Sequence, residues 1–194
     1  MDWNEILRKG VDSAWAALCI YWLWSARDLK ATRRAEPLIK RLLVYWTPLA
    51  AAFFLLGPGE WFGESLLRRQ FVPHSRPVFL AAFGLAWAGV LYACWARRTL
   101  GRNWSSVVKL QHDHELVATG PYRRVRHPIY TGLLCALLGT ALKVGDWRGL
   151  LAVAIVLASF WHKLRQEERW LGEHFGAAYA AYRKTTAVLI PGLL

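Results

Sequence analysis

The sequence predicts an all-α integral membrane protein of about five transmembrane helices, with its polar chemistry gathered in the C-terminal half. Three observations lead there. Hydrophobic residues make up 55% of the 194-residue chain and charged residues 20%, which is more apolar than a soluble domain of this length requires. Twelve tryptophans are present, and Trp15, Trp22, Trp24, Trp46, Trp61, Trp87, Trp95, Trp147 and Trp161 stand within or beside apolar runs, where membrane interfaces collect them. Lys and Arg number 25 against 13 acidic residues. That excess suits an anionic membrane surface, and the placement of the tryptophans argues against nucleic acid as the partner.

Five apolar segments follow in order, at residues 11–26, 42–56, 77–96, 129–142 and 150–161. Only the third reaches the roughly 20 residues a helix needs to cross a bilayer. The others must borrow flanking residues, pack against protein or cross in part. Between the fourth and fifth, residues 143–149 hold two glycines and Asp146, which predicts a tight helical hairpin. Cys19, Cys94 and Cys135 stand alone in apolar stretches and read as core residues rather than a zinc or disulfide framework. The first ten residues mix Asp2 and Glu5 with Arg8 and Lys9 and do not read as a cleaved signal peptide.

Basic residues orient the chain. If all five segments cross, eighteen of the 25 fall in residues 27–41, 97–128 and from 163 onward, and seven fall on the other side. Cytoplasmic loops collect Lys and Arg, so the C-terminus and the polar half are expected in the cytoplasm. Residues 1–96 read as a scaffold of three helices, and residues 97–194 as the functional region, with helices four and five and a cytoplasmic tail.

The densest polar cluster is His112, Asp113, His114, Glu115, Leu116, Val117, then Gly120, Pro121, Tyr122, then Arg126, His127, Pro128, Ile129, Tyr130. Pro128 is suited to open a helix, because its missing N–H would be unpaired there in any case. Arg126 and His127 then sit at the positive end of a helix dipole, which favours an anion. The same basic residues, with Arg123 and Arg124, alternatively mark a helix end in contact with lipid phosphates. A metal held by His112, His114 and His127 is a further alternative, although no acidic partner is fixed by the pattern. A second cluster comprises Lys163, Arg165, Glu167, Glu168 and Arg169. Glu167 shares a helical face with Lys163 and Trp170, as in an i, i+4 ion pair. Glu168 falls on the face of Leu164, Leu171 and Phe175, where a carboxylate needs a partner or a cationic ligand.

These motifs together resemble the isoprenylcysteine carboxyl methyltransferase family, here as a prokaryotic member. The resemblance runs from about residue 101 to 191 and rests on Gly101-Arg102-Asn103-Trp104-Ser105, His114-Glu115-Leu116-Val117, Gly120-Pro121-Tyr122, Arg126-His127-Pro128-Ile129-Tyr130, Glu167-Glu168, Phe175-Gly176, Tyr179 and Tyr182. The wider superfamily also holds phospholipid N-methyltransferases and sterol reductases. The resemblance implies a membrane methyltransferase that binds S-adenosyl-L-methionine on the cytoplasmic side without a Rossmann domain, and no GxGxxG occurs here. It also implies cofactor contacts from His114, Glu115, Leu116, Val117, Tyr122, His127, Pro128, Ile129, Tyr130 and Glu167. Their chemistry agrees: His127 suits a carboxylate, Tyr122 and Tyr130 suit the adenosyl group, and Glu167 suits ammonium and sulfonium charges.

Lys163 stands where eukaryotic members place an Arg for the substrate carboxylate, which keeps the charge without the bidentate fork. Lys163, Arg165 and Glu168 are the candidate catalytic residues. The expected reaction is in-line methyl transfer to a lipophilic small molecule or lipid entering from the membrane, with an isoprenylcysteine-like carboxylate as acceptor. An ionised carboxylate needs only to be held in line in a dry site; an amine acceptor, as in a phospholipid N-methyltransferase, needs a base, for which Glu168 is placed. An NADPH-dependent reductase and a non-enzymatic membrane subunit are the remaining alternatives. The inner membrane of a bacterium or archaeon is the expected location. The sequence does not set the oligomeric state.

Overall fold

The computed structural model describes residues 2–25, 32–35, 37–101, 109–111 and 116–192. Helix α1 runs Trp3–Ser25. A short helix α2, Leu38–Arg41, passes through a π-helical stretch, Leu42–Trp46, into α3, Thr47–Leu56. After two 3₁₀ turns, α4 spans Arg76–Leu100, α5 Pro128–Val144, α6 Trp147–Phe175 and α7 Ala177–Thr185. One two-stranded antiparallel ribbon accompanies the helices, pairing β1, Thr32–Ala35, with β2, Lys109–Gln111.

Three of these stretches, Leu38–Leu56, Arg76–Leu100 and Trp147–Phe175, are long and apolar enough to cross a membrane, while Pro128–Val144 is apolar but shorter. The helices outrun the apolar segments of the sequence most clearly in three places. The helix of the first segment, α1, starts at Trp3, eight residues before residue 11. The second begins at Leu38, because no Pro or Gly interrupts residues 38–47. The fifth extends through the charged run to Phe175 and stops only at Gly176, whose positive φ of 52° is one that glycine adopts without strain. The outer faces carry large apolar side chains, with Phe53 82% exposed and Leu23 76%. Surfaces of that kind face lipid rather than water.

Small residues let the central helices meet closely. Val11, Ala14 and Leu18 of α1 pack on Ala82, Ala86, Val90 and Ala93 of α4, with Ala136 of α5 completing the cluster. A Cβ added at Gly132 of α5 would lie 2.6 Å from the Gly89 carbonyl of α4, so the seam depends on glycine, as in membrane helix pairs generally. Two indoles tie the layers: Trp15 donates to Thr140 Oγ1 at 2.8 Å and Trp87 to the Gly10 carbonyl at 2.9 Å.

The predicted hairpin is present. Gly145, with φ 74°, ends α5, and Asp146 leads directly into α6. Arg148 lies buried beside it, paired with Asp146 at 3.0 Å and donating to the carbonyls of Leu55 and Gly57 at the end of α3. It therefore caps a helix C-terminus from inside the fold. Arg97 is likewise buried and joins the ends of α1 and α4 through the carbonyls of Ser25 and Gly101. Neither charge is a surface marker of orientation, and without them the distribution of basic residues is seventeen against six.

Candidate functional site

The polar site forms where the start of α5 meets the C-terminal half of α6. The 3₁₀ turn Gly120–Arg123 and the extended residues after it deliver His127 to the N-cap of α5, and Pro128 is buried as its first residue. The chain after α7 then returns along this approach. Arg126 N donates to the Ala187 carbonyl at 2.9 Å and His127 N to the Val188 carbonyl at 3.1 Å, while Ala187 N donates to Arg124 O at 3.0 Å. Thr131 Oγ1 adds a bond to the Leu189 carbonyl at 2.8 Å. This C-terminal strap takes up the N–H groups of the two residues that lead into α5.

Glu167 and Glu168 are neighbours on α6, about 100° apart around the helix, and they grip the His127 ring from two sides. Nδ1 lies 3.6 Å from Glu167 Oε2, and Nε2 lies 3.4 Å from Glu168 Oε1. The Tyr130 hydroxyl donates to Glu167 Oε1 at 2.7 Å, and the Tyr130 ring stacks on His127 with centroids 5.7 Å apart. Tyr122 is buried beside them, and its carbonyl accepts the Tyr182 hydroxyl at 2.6 Å. Burial, and after it the charge of Glu167, pushes the Tyr122 phenol well above its ordinary range; burial pushes Tyr182 up to about 12. Both hydroxyls therefore remain neutral donors at physiological pH.

Arg126 differs from the sequence reading. Its Nε donates to Glu168 Oε1 at 2.6 Å, and its Nη1 is directed at the carbonyls of Arg183 and Thr186. The helix start is thus no open anion pocket, since Arg126 is already matched by a carboxylate of the same chain. Glu168, with Arg183 Nη2 also 3.8 Å away, has its charge compensated and is held as an acceptor.

The candidate residues fall into three groups. Tyr122, His127, Tyr130, Glu167 and Glu168 come together, with Lys163 at the edge, its ammonium 5.4 Å from the Tyr130 ring centre and 5.5 Å from that of Tyr45. Leu116, Val117 and Ile129 are half-buried on the flanking backbone, and Pro128 is buried in the helix start. Arg165 sits apart: exposed and 5.1 Å from the Trp161 ring, it is turned about 160° around α6 from Lys163 and Glu167, though only about 60° from Glu168. His114 and Glu115 lie outside the described residues, as does His112, so the metal alternative that uses them is not addressed by the structure. Tyr45 and the strap were missed, and Arg126 was read as facing an anion rather than as the partner of Glu168. Tyr45 lies in the stretch read as scaffold, and the motif Arg126-His127 gives no sign of a partner 42 residues away.

Tyr179 Oη is buried without a hydrogen-bond partner among the described residues, and His127 Nε2 has only the long contact to Glu168 Oε1 at 3.4 Å. Buried polar atoms left open in this way call for a ligand or water to complete them. Two carboxylates, neutral phenols and an imidazole form a donor and acceptor set suited to a small ligand that carries positive charge along with polar groups.

Fold and site together define a helical membrane protein with one polar site at an end of its bundle. The chain belongs to the phospholipid methyltransferase family, whose model matches residues 78–178. Among curated proteins it is similar to the protein-S-isoprenylcysteine O-methyltransferase of Schizosaccharomyces pombe, with 37% identity over 47% of this chain and 40% of that one. The Saccharomyces cerevisiae protein of the same name matches at 37% over 50% and 41% respectively. A cobalt-zinc-cadmium resistance protein of Cupriavidus metallidurans, CzcN, matches at 35% over 49% and 44%. The chain thus spans less than half the length of these relatives.

Proposed function

We propose that this chain is a membrane methyltransferase that takes its methyl group from S-adenosyl-L-methionine and transfers it to a lipophilic acceptor, with an isoprenylcysteine-like carboxylate as the acceptor. The observation that carries the reading is the pairing of His127 with Glu167 and Glu168 at the start of α5, inside the matched region. The names of the two yeast relatives support the carboxyl acceptor. In this reading residues 97–194 form the methyltransferase region and residues 1–96 the scaffold, to which Tyr45 is the exception.

Glu167, Tyr130, Tyr122 and His127 would hold the cofactor, with Leu116, Val117, Pro128 and Ile129 lining the approach and His114 and Glu115 completing the set. When bound, the cofactor supplies a methyl group carried on a sulfonium. Tyr130 fixes the rotamer of Glu167 through its hydroxyl, so the carboxylate is oriented before a cation arrives. Lys163, whose ammonium is flanked by two aromatic rings, binds and orients the acceptor carboxylate. Glu168 holds His127 in place, and its Oε1 is already occupied by Arg126 Nε at 2.6 Å, which leaves it poorly placed to take a proton from an amine acceptor. That pairing favours the carboxyl acceptor over the phospholipid amine. Arg165, turned away from Lys163 and Glu167, has no part in the site.

Two measurements test the reading. Calorimetry of the detergent-purified chain should show binding of S-adenosylhomocysteine and none of NADPH; the reverse result replaces the methyltransferase with a reductase, and binding of neither supports a non-enzymatic subunit. Membranes given tritiated methyl donor should yield an organic-extractable product that releases volatile methanol under mild base, as methyl esters do. Base-stable lipid label means the phospholipid reading instead.

A further inference from the structure

A groove of about 560 Å³ opens beside the end of α7, lined by Arg124, Lys184, Thr185, Thr186 and Pro191 among others. We propose that it holds the phosphate of an anionic phospholipid headgroup, so that this face of the protein is a lipid-docking surface. Four features carry the assignment. Among the described residues the lining contains two cations and no carboxylate, which suits a phosphate, while the hydroxyls of Thr185 and Thr186 are already committed to the Tyr182 carbonyl. Arg124 and Lys184 are exposed, and neither has an ion-pair partner among the described residues, unlike Arg126 and Arg183 close by.

Depth is the third feature. Arg124 stands four residues before Pro128, where the apolar helix α5 begins, which puts the groove at the boundary between hydrocarbon and water. Anionic headgroups sit at that level and attract each nearby Lys or Arg. Fourth, Ile190 is 47% exposed at the rim next to Pro191, and an apolar side chain beside cations is the pattern of a segment that dips into a membrane interface. Free phosphate would use the cations but would have no use for that apolar rim or that depth.

The groove also shares a wall with the polar site. Thr186 lines it while the Thr186 carbonyl accepts from Arg126, and Ala187 bridges to Val125. A headgroup there would brace the strap that covers the start of α5.

The test uses the full chain in nanodiscs of phosphatidylcholine with and without a minority of phosphatidylglycerol, with retained lipid read by native mass spectrometry. The wild type should retain phosphatidylglycerol preferentially. Arg124→Gln combined with Lys184→Gln should reduce that preference by about thirtyfold, the effect of two near-surface cations. Arg124→Lys with Lys184→Arg should keep it, and so should Arg68→Gln with Arg76→Gln, which removes equal charge elsewhere. An equal loss in the Arg68 and Arg76 variant overturns the proposal, because the attraction would then be diffuse. Inorganic phosphate displacing the lipid from detergent-purified protein at matching concentration also overturns it, since the site would then be one for free phosphate.

Discussion

At the scale of single residues, the site is organised around one imidazole between two carboxylates, and each contact has its own expected consequence. Removing Glu167 takes away both an acceptor for Tyr130 and the nearest negative charge to Nδ1. Glu167→Ala and His127→Ala should each weaken S-adenosylhomocysteine binding by about 1 to 3 kcal/mol, the range for hydrogen bonds to charged groups. Tyr130→Phe removes a hydroxyl and keeps the ring, so its cost should be nearer about 1 kcal/mol. Unchanged calorimetric affinity in all three would remove the cofactor from this cluster. On the acceptor side, Lys163→Ala should raise the acceptor KM or lower kcat with little effect on cofactor affinity, while Arg165→Ala should change neither, as it faces the other way. A kinetic effect of Arg165→Ala comparable to that of Lys163→Ala would contradict the geometry. Much of this cluster was legible in the sequence, because Pro128 announces a helix start and the helical repeat places Lys163 and Glu167 on one face. The Arg126 to Glu168 pair was not, for a long-range contact leaves no periodic trace. Arg165 shows the converse: it is close in sequence to Lys163 and Glu167, but the helical step of about 100° turns it away from both.

At the scale of elements, backbone interactions decide what patterns cannot show. The strap from Ala187 to Leu189 closes on residues 124–131 mostly through main-chain N–H and carbonyl groups, which every residue type except proline carries in full, so its position has no signature in composition. The hairpin between α5 and α6 was legible, since Gly145 marks a left-handed turn and Asp146 follows it. Helix lengths were legible only in part, because apolar runs trace the portion facing lipid or core and α6 continues for fourteen residues past Trp161 as a charged helix. The seam between α4 and α5 supplies a test of packing. Gly132→Val would place its added atoms against Gly89 O and Ala93, and overpacking of this sort costs about 1 to 3 kcal/mol. Gly84, on α4 with open space where a Cβ would stand, is the matched control, and Gly84→Ala should be neutral or slightly stabilising. Thermal denaturation in detergent should therefore separate the two; equal melting temperatures would mean that the helices do not meet at Gly132.

At the scale of the whole molecule, the site and the strap lie together at one end of the bundle. Two of the basic residues that first suggested an orientation, Arg97 and Arg148, turn out to bind carbonyls within the fold, yet the remaining count along the sequence still favours the segments expected in the cytoplasm by seventeen to six. Each such charge resists transfer across the membrane, so the end that bears more of them is expected on the cytoplasmic side. The expected topology has the start of α5, the charged half of α6 and α7 on the cytoplasmic side, and the turns between α3 and α4 outside. Alkaline phosphatase fused after Leu194 should accordingly be inactive, whereas the same enzyme inserted after Gly63, where the surrounding space is open, should be active. This pair also separates orientation from helix count. If α5 and α6 form a re-entrant hairpin instead of two full spans, both fusions keep their predicted activities, because a hairpin returns the chain to its starting side. An active fusion after Leu194 together with an inactive one after Gly63 would invert the molecule and place the polar site, with any cofactor it takes from the cytoplasm, on the wrong side of the membrane.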